Sequence, residues 1–266
     1  MPRRTAFILS SGRTGTQFLA RYLDANFSEV CARHEPWPGW LLRIAGHAHL
    51  AGRLSRKTLV SLLKRVRRRY VDPLQADLYV ESNPYLAGFV DVLDAVWEDP
   101  VVLHIVRDPR EQVRSSLNHG TARGVKGALN RWLPHWSPDV RGILPLDGTP
   151  TWLERTAGLW RIVNEALEHG GERCAHYHRF RYEDLFAPDH SGLRALCGAL
   201  RLSAPGPDAP FDLDQRVNAA RGSEVPGWER WPAADCRALE RICGALMQRY
   251  GYGSEPAWRA RTTDDG

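Results

Sequence analysis

Residues 5–26 constrain the fold more than any other stretch of this chain. A short apolar run, Thr5–Ser11, leads through Ser10-Ser11-Gly12-Arg13-Thr14-Gly15-Thr16-Gln17 into an amphipathic stretch from about Gln17 to Asn26. The order predicted is strand, Gly/Thr-rich turn, helix. A turn of this kind gathers backbone N–H groups at a helix N-terminus, where partial positive charge accumulates. Threonine hydroxyls add donors and Arg13 adds a fixed cation, so the turn suits a phosphate-like anion. The pattern GxxxxGK[ST] is not satisfied, because no lysine precedes Thr16 and the glycines stand closer together.

The rest of the chain repeats the strand–helix rhythm. Asp77–Glu81 and Val101–Val106 read as buried strands, His176–Tyr182 as another strand, and Pro84–Trp97, Thr151–His169, Ser191–Leu200 and Ala233–Tyr250 as helices. The expected fold is α/β, a three-layer domain whose mainly parallel central sheet is flanked by helices. With 266 residues, 43% of them hydrophobic, one domain over 1–253 is expected. Segments 45–75 and 118–150 break the rhythm as helical or loop insertions near an acceptor site, and 254–266 reads as a flexible tail. The five cysteines contain no CxxC pair, and no apolar run approaches a signal sequence or membrane span. These features point to a cytoplasmic protein with reduced thiols. The net charge of +5 favours an anionic ligand without naming it.

A second motif narrows the ligand. Val101–Val106 runs into Arg107-Asp108-Pro109-Arg110 and then a helix carrying Arg114, Ser115 and Ser116. Arg107 falls at the carboxyl end of a strand, where open α/β sheets place ligands. Ser115 follows about two helical turns later, so the pair is suited to a second, separate phosphate.

The Arg-Thr-Gly-Thr turn, then Arg107 with Ser115, then Arg181-Tyr182-Glu183-Asp184-Leu185 resemble, in that order and over most of the chain, the PAPS-dependent sulfotransferase superfamily with its P-loop-like turn. The resemblance implies that Gly12, Arg13, Thr14, Gly15, Thr16 and Gln17 hold the 5′-phosphosulfate of PAPS. It assigns the 3′-phosphate to Arg107 and Ser115, and the adenine to Tyr182. Arg221-Gly222 with Gly227-Trp228 resembles, without its lysine, the family loop that closes on the nucleotide, which adds Arg221 to the 3′-phosphate. The product would be adenosine 3′,5′-bisphosphate, and no metal is required.

For the base, the resemblance favours Glu35 in His34-Glu35-Pro36, with Pro36 expected to hold Glu35 extended. The rival is Glu81 in Glu81-Ser82-Asn83-Pro84, which resembles the Glu-Lys-Thr-Pro segment of the heparan sulfate branch with Ser82 in the lysine's place. Asn83 stands near the place of the histidine base of another branch, leaving His34 as a substitute. Arg13 would stabilise the phosphosulfate.

The acceptor is left open among small molecules, lipids and carbohydrates. The cations between Arg53 and Arg69, with Leu59, Leu62, Leu63 and Val66 among them, predict an amphipathic helix. Its charged face is solvated, or it meets an anionic acceptor or membrane surface; no nucleic-acid motif accompanies it. His47-x-His49 and His176-x-His178 lack further metal ligands. Trp132, Trp136, Trp152 and Trp160 line an acceptor pocket or pack the core. Two other functions fit parts of the sequence. A P-loop nucleotide kinase is disfavoured by the missing lysine and by the second phosphate motif. A non-catalytic nucleotide-binding protein of the same fold is opposed by the presence of both Arg13 and Glu35. Oligomeric state is left open.

Overall fold

The computed structural model describes residues 2–119, 150–203 and 225–263. In chain order the elements are β1 (Arg4–Ser10), α1 (Thr16–Asn26), β2 (Val30–His34), α2 (Gly39–Leu50), α3 (Arg56–Val66), a π-turn Arg67–Val71 and β3 (Leu78–Ser82). A 3-10 helix Pro84–Ala95, β4 (Val101–Val106), α4 (Pro109–Asn118), α5 (Trp152–Gly171) and β5 (His176–Arg181) follow. The last helices are α6 (Tyr182–Leu185), α7 (Ser191–Ala199), α8 (Ala233–Arg249) and α9 (Pro256–Thr262). Two compact units interleave in the sequence: residues 1–106 with 166–218, and 107–165 with 219–266.

The first unit holds a parallel sheet in the order β2-β3-β1-β4-β5. β1 and β4 are apolar along most of their length because both sheet faces are covered. On one face Ala6, Ile8, Val80, Leu103 and Ile105 pack with Phe18, Leu19 and Leu23 of α1 and Leu193 and Leu196 of α7. On the other, Phe7 meets Trp97 edge-on at 4.8 Å, with Leu42, Leu63, Phe89 and Leu93 buried nearby in the chain's covering helices. The sequence leaves β1 towards β2 on one flank, whereas β4 lies on the other flank of β1. The topological switch therefore falls between β1 and β4, and the crevice beyond their carboxyl ends is the expected ligand position.

β2 is absent from the sequence expectation. Val30-Cys31-Ala32-Arg33-His34 is short and half-polar, as an edge strand is, and its parallel pairing with β3 holds it in place. The basic segment does form the expected amphipathic helix: α3 buries Leu59, Leu63 and Val66. Two of its flanking cations are tied inward, Arg56 to the Asp91 carbonyl and Asp94, and Arg67 to Asp72 and the Val96 carbonyl.

The second unit is organised around one buried arginine. Arg110, 2% exposed at its side chain, pairs with Asp108 at 2.6 Å and with Glu255 at 2.7 Å. Its guanidinium lies 4.8 Å from the Trp228 ring centre and 5.0 Å from that of Trp258. Asp108 also caps α4 by accepting the Arg110 backbone N–H. These contacts correct the expectation of a flexible tail from 254: α9 is a helix whose Trp258 is fully buried. A large aromatic ring and a carboxylate that both engage Arg110 outweigh the polar composition of the segment.

Candidate functional site

The turn after β1 is built to present backbone. Gly12, Arg13 and Gly15 all have positive φ, at 88°, 58° and 71°. Left-handed residues within a tight turn redirect backbone N–H groups, and concave anion sites are built from backbone of this kind. A positive φ at Arg13, a residue with a Cβ, is uncommon and marks a conformation imposed by its surroundings. Buried Ser10 braces the turn, its Oγ accepting from the Gly12 N–H at 3.1 Å and from the Thr14 hydroxyl at 2.7 Å. Thr14, expected to offer its hydroxyl to a phosphate, is fully buried and gives it to Ser10 instead. α1 then starts from Gly15 with no side-chain cap and no acidic residue in its first turn. Its N-terminal dipole therefore faces the turn without a carboxylate of its own.

Gly15 is also required sterically. A Cβ there would lie 2.6 and 2.8 Å from ring carbons of Phe186 and 3.4 Å from Tyr182. The Tyr182 and Phe186 rings pack at 4.7 Å, and Phe186 meets Phe18 edge-on at 5.2 Å. Half-buried Tyr182 thus stands directly beside the turn, at the carboxyl end of β5. Gly15→Ala is expected to cost about 1–3 kcal/mol through this overpacking and to weaken anion binding; chemical denaturation and calorimetry of the variant check both effects.

The other ends of the sheet converge on Ser82. Its hydroxyl donates to the Thr16 carbonyl at 2.7 Å, linking β3 to the first turn of α1. Its carbonyl accepts the Glu35 N–H at 3.1 Å and lies 3.0 Å from His34 Nδ1. A carbonyl only accepts, so His34 donates from Nδ1, and its Nε2 lies 3.6 Å from Glu35 Oε1. Glu35 is not extended, as Pro36 had implied, but has φ 45°. The bond to Ser82 and the reversal of the chain after β2 override the local preference. Its carboxylate is partly open to solvent, whereas Glu81 is only 4% exposed. Glu81 accepts from the Tyr79 hydroxyl and the Asn83 amide, each at 2.9 Å. Burial raises its pKa, against the pull of those two donors and of Arg33.

Arg107 and Ser115 lie in the second unit, Arg107 being its first residue after β4. The Arg107 carbonyl accepts the indole N–H of fully buried Trp160 at 2.9 Å, and the Trp160 carbonyl accepts from buried Asn164 at 2.7 Å. Trp160 is thus core, and it fixes the backbone that carries Arg107. Ser115 is half-buried within α4. Arg221, Trp132 and Trp136 lie outside the described residues.

Sequence patterns could locate the turn, Arg107 and Tyr182, but not the bracing by Ser10, Ser82 or Trp160. Serines and a tryptophan with no motif around them carry no signal of such bonds. Among the described residues no group of three or more His, Cys, Asp or Glu is placed to hold a metal ion, and no helix is long and apolar enough to cross a membrane.

No protein family and no curated protein matches the sequence. Among solved structures, the chain is similar to a sulfotransferase domain from the curacin biosynthetic pathway, with a TM-score of 0.53 and 15% identity over 95% of this chain and 98% of that one. It is also similar to a sulfotransferase from Alicyclobacillus acidocaldarius, with a TM-score of 0.50 and 17% identity over 97% of this chain and 100% of the other. At such identities the likeness is one of fold, and it runs the length of both chains.

Proposed function

We propose that this protein, whose fold is that of sulfotransferase domains, transfers a sulfuryl group from PAPS to a hydroxyl or amine of an acceptor. The observation that carries this reading is the braced, positive-φ turn before an uncapped α1 at the switch point, with Tyr182 packed beside Gly15. That arrangement supports a nucleotide whose 5′-phosphosulfate meets backbone N–H groups while an aromatic ring lies nearby. Arg107 and Ser115 supply the groups for the 3′-phosphate, and Arg221 adds a further cation to it.

In the transfer, the acceptor oxygen or nitrogen forms a bond to sulfur as the bond from sulfur to the bridging phosphate oxygen breaks. The electron pair leaves with adenosine 3′,5′-bisphosphate, and the acceptor's proton passes to the base. Arg13 and the N–H groups of the turn offset the negative charge that grows on the leaving phosphate. Glu35 is the better placed base, because it is accessible at a strand end beside His34 while both Glu81 oxygens are already accepting.

Calorimetry of adenosine 3′,5′-bisphosphate against ADP and Mg-ATP tests the proposal. Metal-independent binding of the bisphosphate, tighter than either competitor, is expected. Preference for Mg-ATP would instead make the protein a nucleotide kinase.

A further inference from the structure

Trp37 and Tyr70 are the two exposed large hydrophobic residues among the described residues, at 61% and 37%. They come from different elements, the loop after β2 and the π-turn after α3, yet their rings stack at 6.0 Å and 18°. Both line a pocket of about 70 Å³ whose apolar lining includes Leu42, Val66 and Val71. Stacked aromatics left in water at the edge of a cavity are the kind of surface that ligands cover.

Three features join this pocket to the site already described. Pro36 and Trp37, which line it, follow Glu35 directly in the chain. Glu81, one residue before Ser82, lines it too. Arg33 and Glu81 are register partners on β2 and β3, so their side chains belong to the same sheet face. The charges are not equivalent, however. Glu81 is buried with both oxygens accepting from Tyr79 and Asn83, whereas Arg33 is exposed. Exposed Arg68 and Arg69 precede Tyr70 on the π-turn. Apart from the Glu35 carboxylate at its edge, the exposed charge on the pocket's own lining is that of Arg33.

We infer that this pocket is the acceptor subsite, and that it takes an aryl or short-chain alkyl alcohol bearing an acidic group, with the apolar body against Trp37 and Tyr70 and the anion at Arg33. A cavity that encloses benzene measures about 150 Å³, so a ring enters this pocket of about 70 Å³ only in part and otherwise lies on the exposed aromatic pair. The assignment as an acceptor subsite rests on the sulfuryl-transfer reading, whereas the binding preference does not.

The test uses the full chain saturated with adenosine 3′,5′-bisphosphate, titrated with 3-(4-hydroxyphenyl)propanoate and with tyramine and followed by ligand-observed NMR. The acid is expected to bind about threefold or more tighter than the amine, the scale of one exposed ion pair. Trp37→Ala and Tyr70→Ala should each weaken the acid by about tenfold, the scale of one aromatic contact, and leave bisphosphate affinity unchanged. Arg33→Gln should abolish the preference for acid over amine. Because Trp37 and Tyr70 are exposed, either variant suffices should the other fold poorly.

Absence of binding by both probes, equal binding to the variants, or preference for tyramine overturns the pocket assignment. Failure of the bisphosphate itself to bind overturns sulfuryl transfer instead. The same titration without nucleotide then decides the pocket's preference separately.

Discussion

Glu35→Gln is expected to lower turnover by at least about a hundredfold, the lower end of what a general base contributes, while affinity for adenosine 3′,5′-bisphosphate stays unchanged. Glutamine keeps the size of the side chain and removes only the ability to take a proton. The backbone around it is held independently, through the Glu35 N–H to the Ser82 carbonyl and through His34 Nδ1 to the same oxygen. A positive φ of 45° in a residue before proline is a costly conformation, and such conformations persist where the surroundings impose them. Steady-state rates with PAPS, set beside calorimetry, separate the two effects. Undiminished turnover removes Glu35 from the mechanism. Glu81→Gln provides the contrast: that carboxyl is buried among Tyr79 and Asn83, so its replacement should act mainly on stability. A loss of turnover confined to Glu81→Gln would transfer the base role to it.

Arg110→Met is expected to destabilise the protein by about 3–5 kcal/mol, the usual cost of removing one partner from a buried ion pair. Methionine fills much of the same volume between Trp228 and Trp258 but leaves Asp108, whose residue is 9% exposed, without its cation. Asp108 caps α4, the helix that carries Ser115, so the damage should extend to the 3′-phosphate contact proposed for Ser115. Urea unfolding measures the first effect and bisphosphate calorimetry the second. Glu255→Gln should cost far less, because Glu255 is 46% exposed at its side chain and a surface partner is worth at most about 1 kcal/mol. A shift below about 1 kcal/mol for Arg110→Met would show that the cage contributes packing only.

Much of this molecule is legible along the chain. β1 and β4 are apolar along most of their length, with His104 the one polar residue within β4, because both faces of a parallel sheet are covered, and that requirement writes itself into consecutive residues. The turn from Ser11 to Gly15 is legible for a similar reason, since its glycines answer a local backbone demand. The positions of Arg107 and Tyr182 just after strands, and of Ser115 in the helix after β4, are also recorded along the chain. The same local rules predicted an extended Glu35 and a frayed carboxyl segment, and the structure departs from both.

Only the tertiary structure decided β2, the φ of Glu35, the Trp37–Tyr70 pair and the anchoring of α9. β2 is stable as a strand because β3 lies beside it, not because Val-Cys-Ala-Arg-His demands one. Trp258 is buried because Arg110, far away in the sequence, offers a cation that needs covering. The division follows range: backbone conformation and burial on two sheet faces act between neighbours in sequence, whereas edge pairing, aromatic stacking and buried charge pairs depend on partners that only folding brings together.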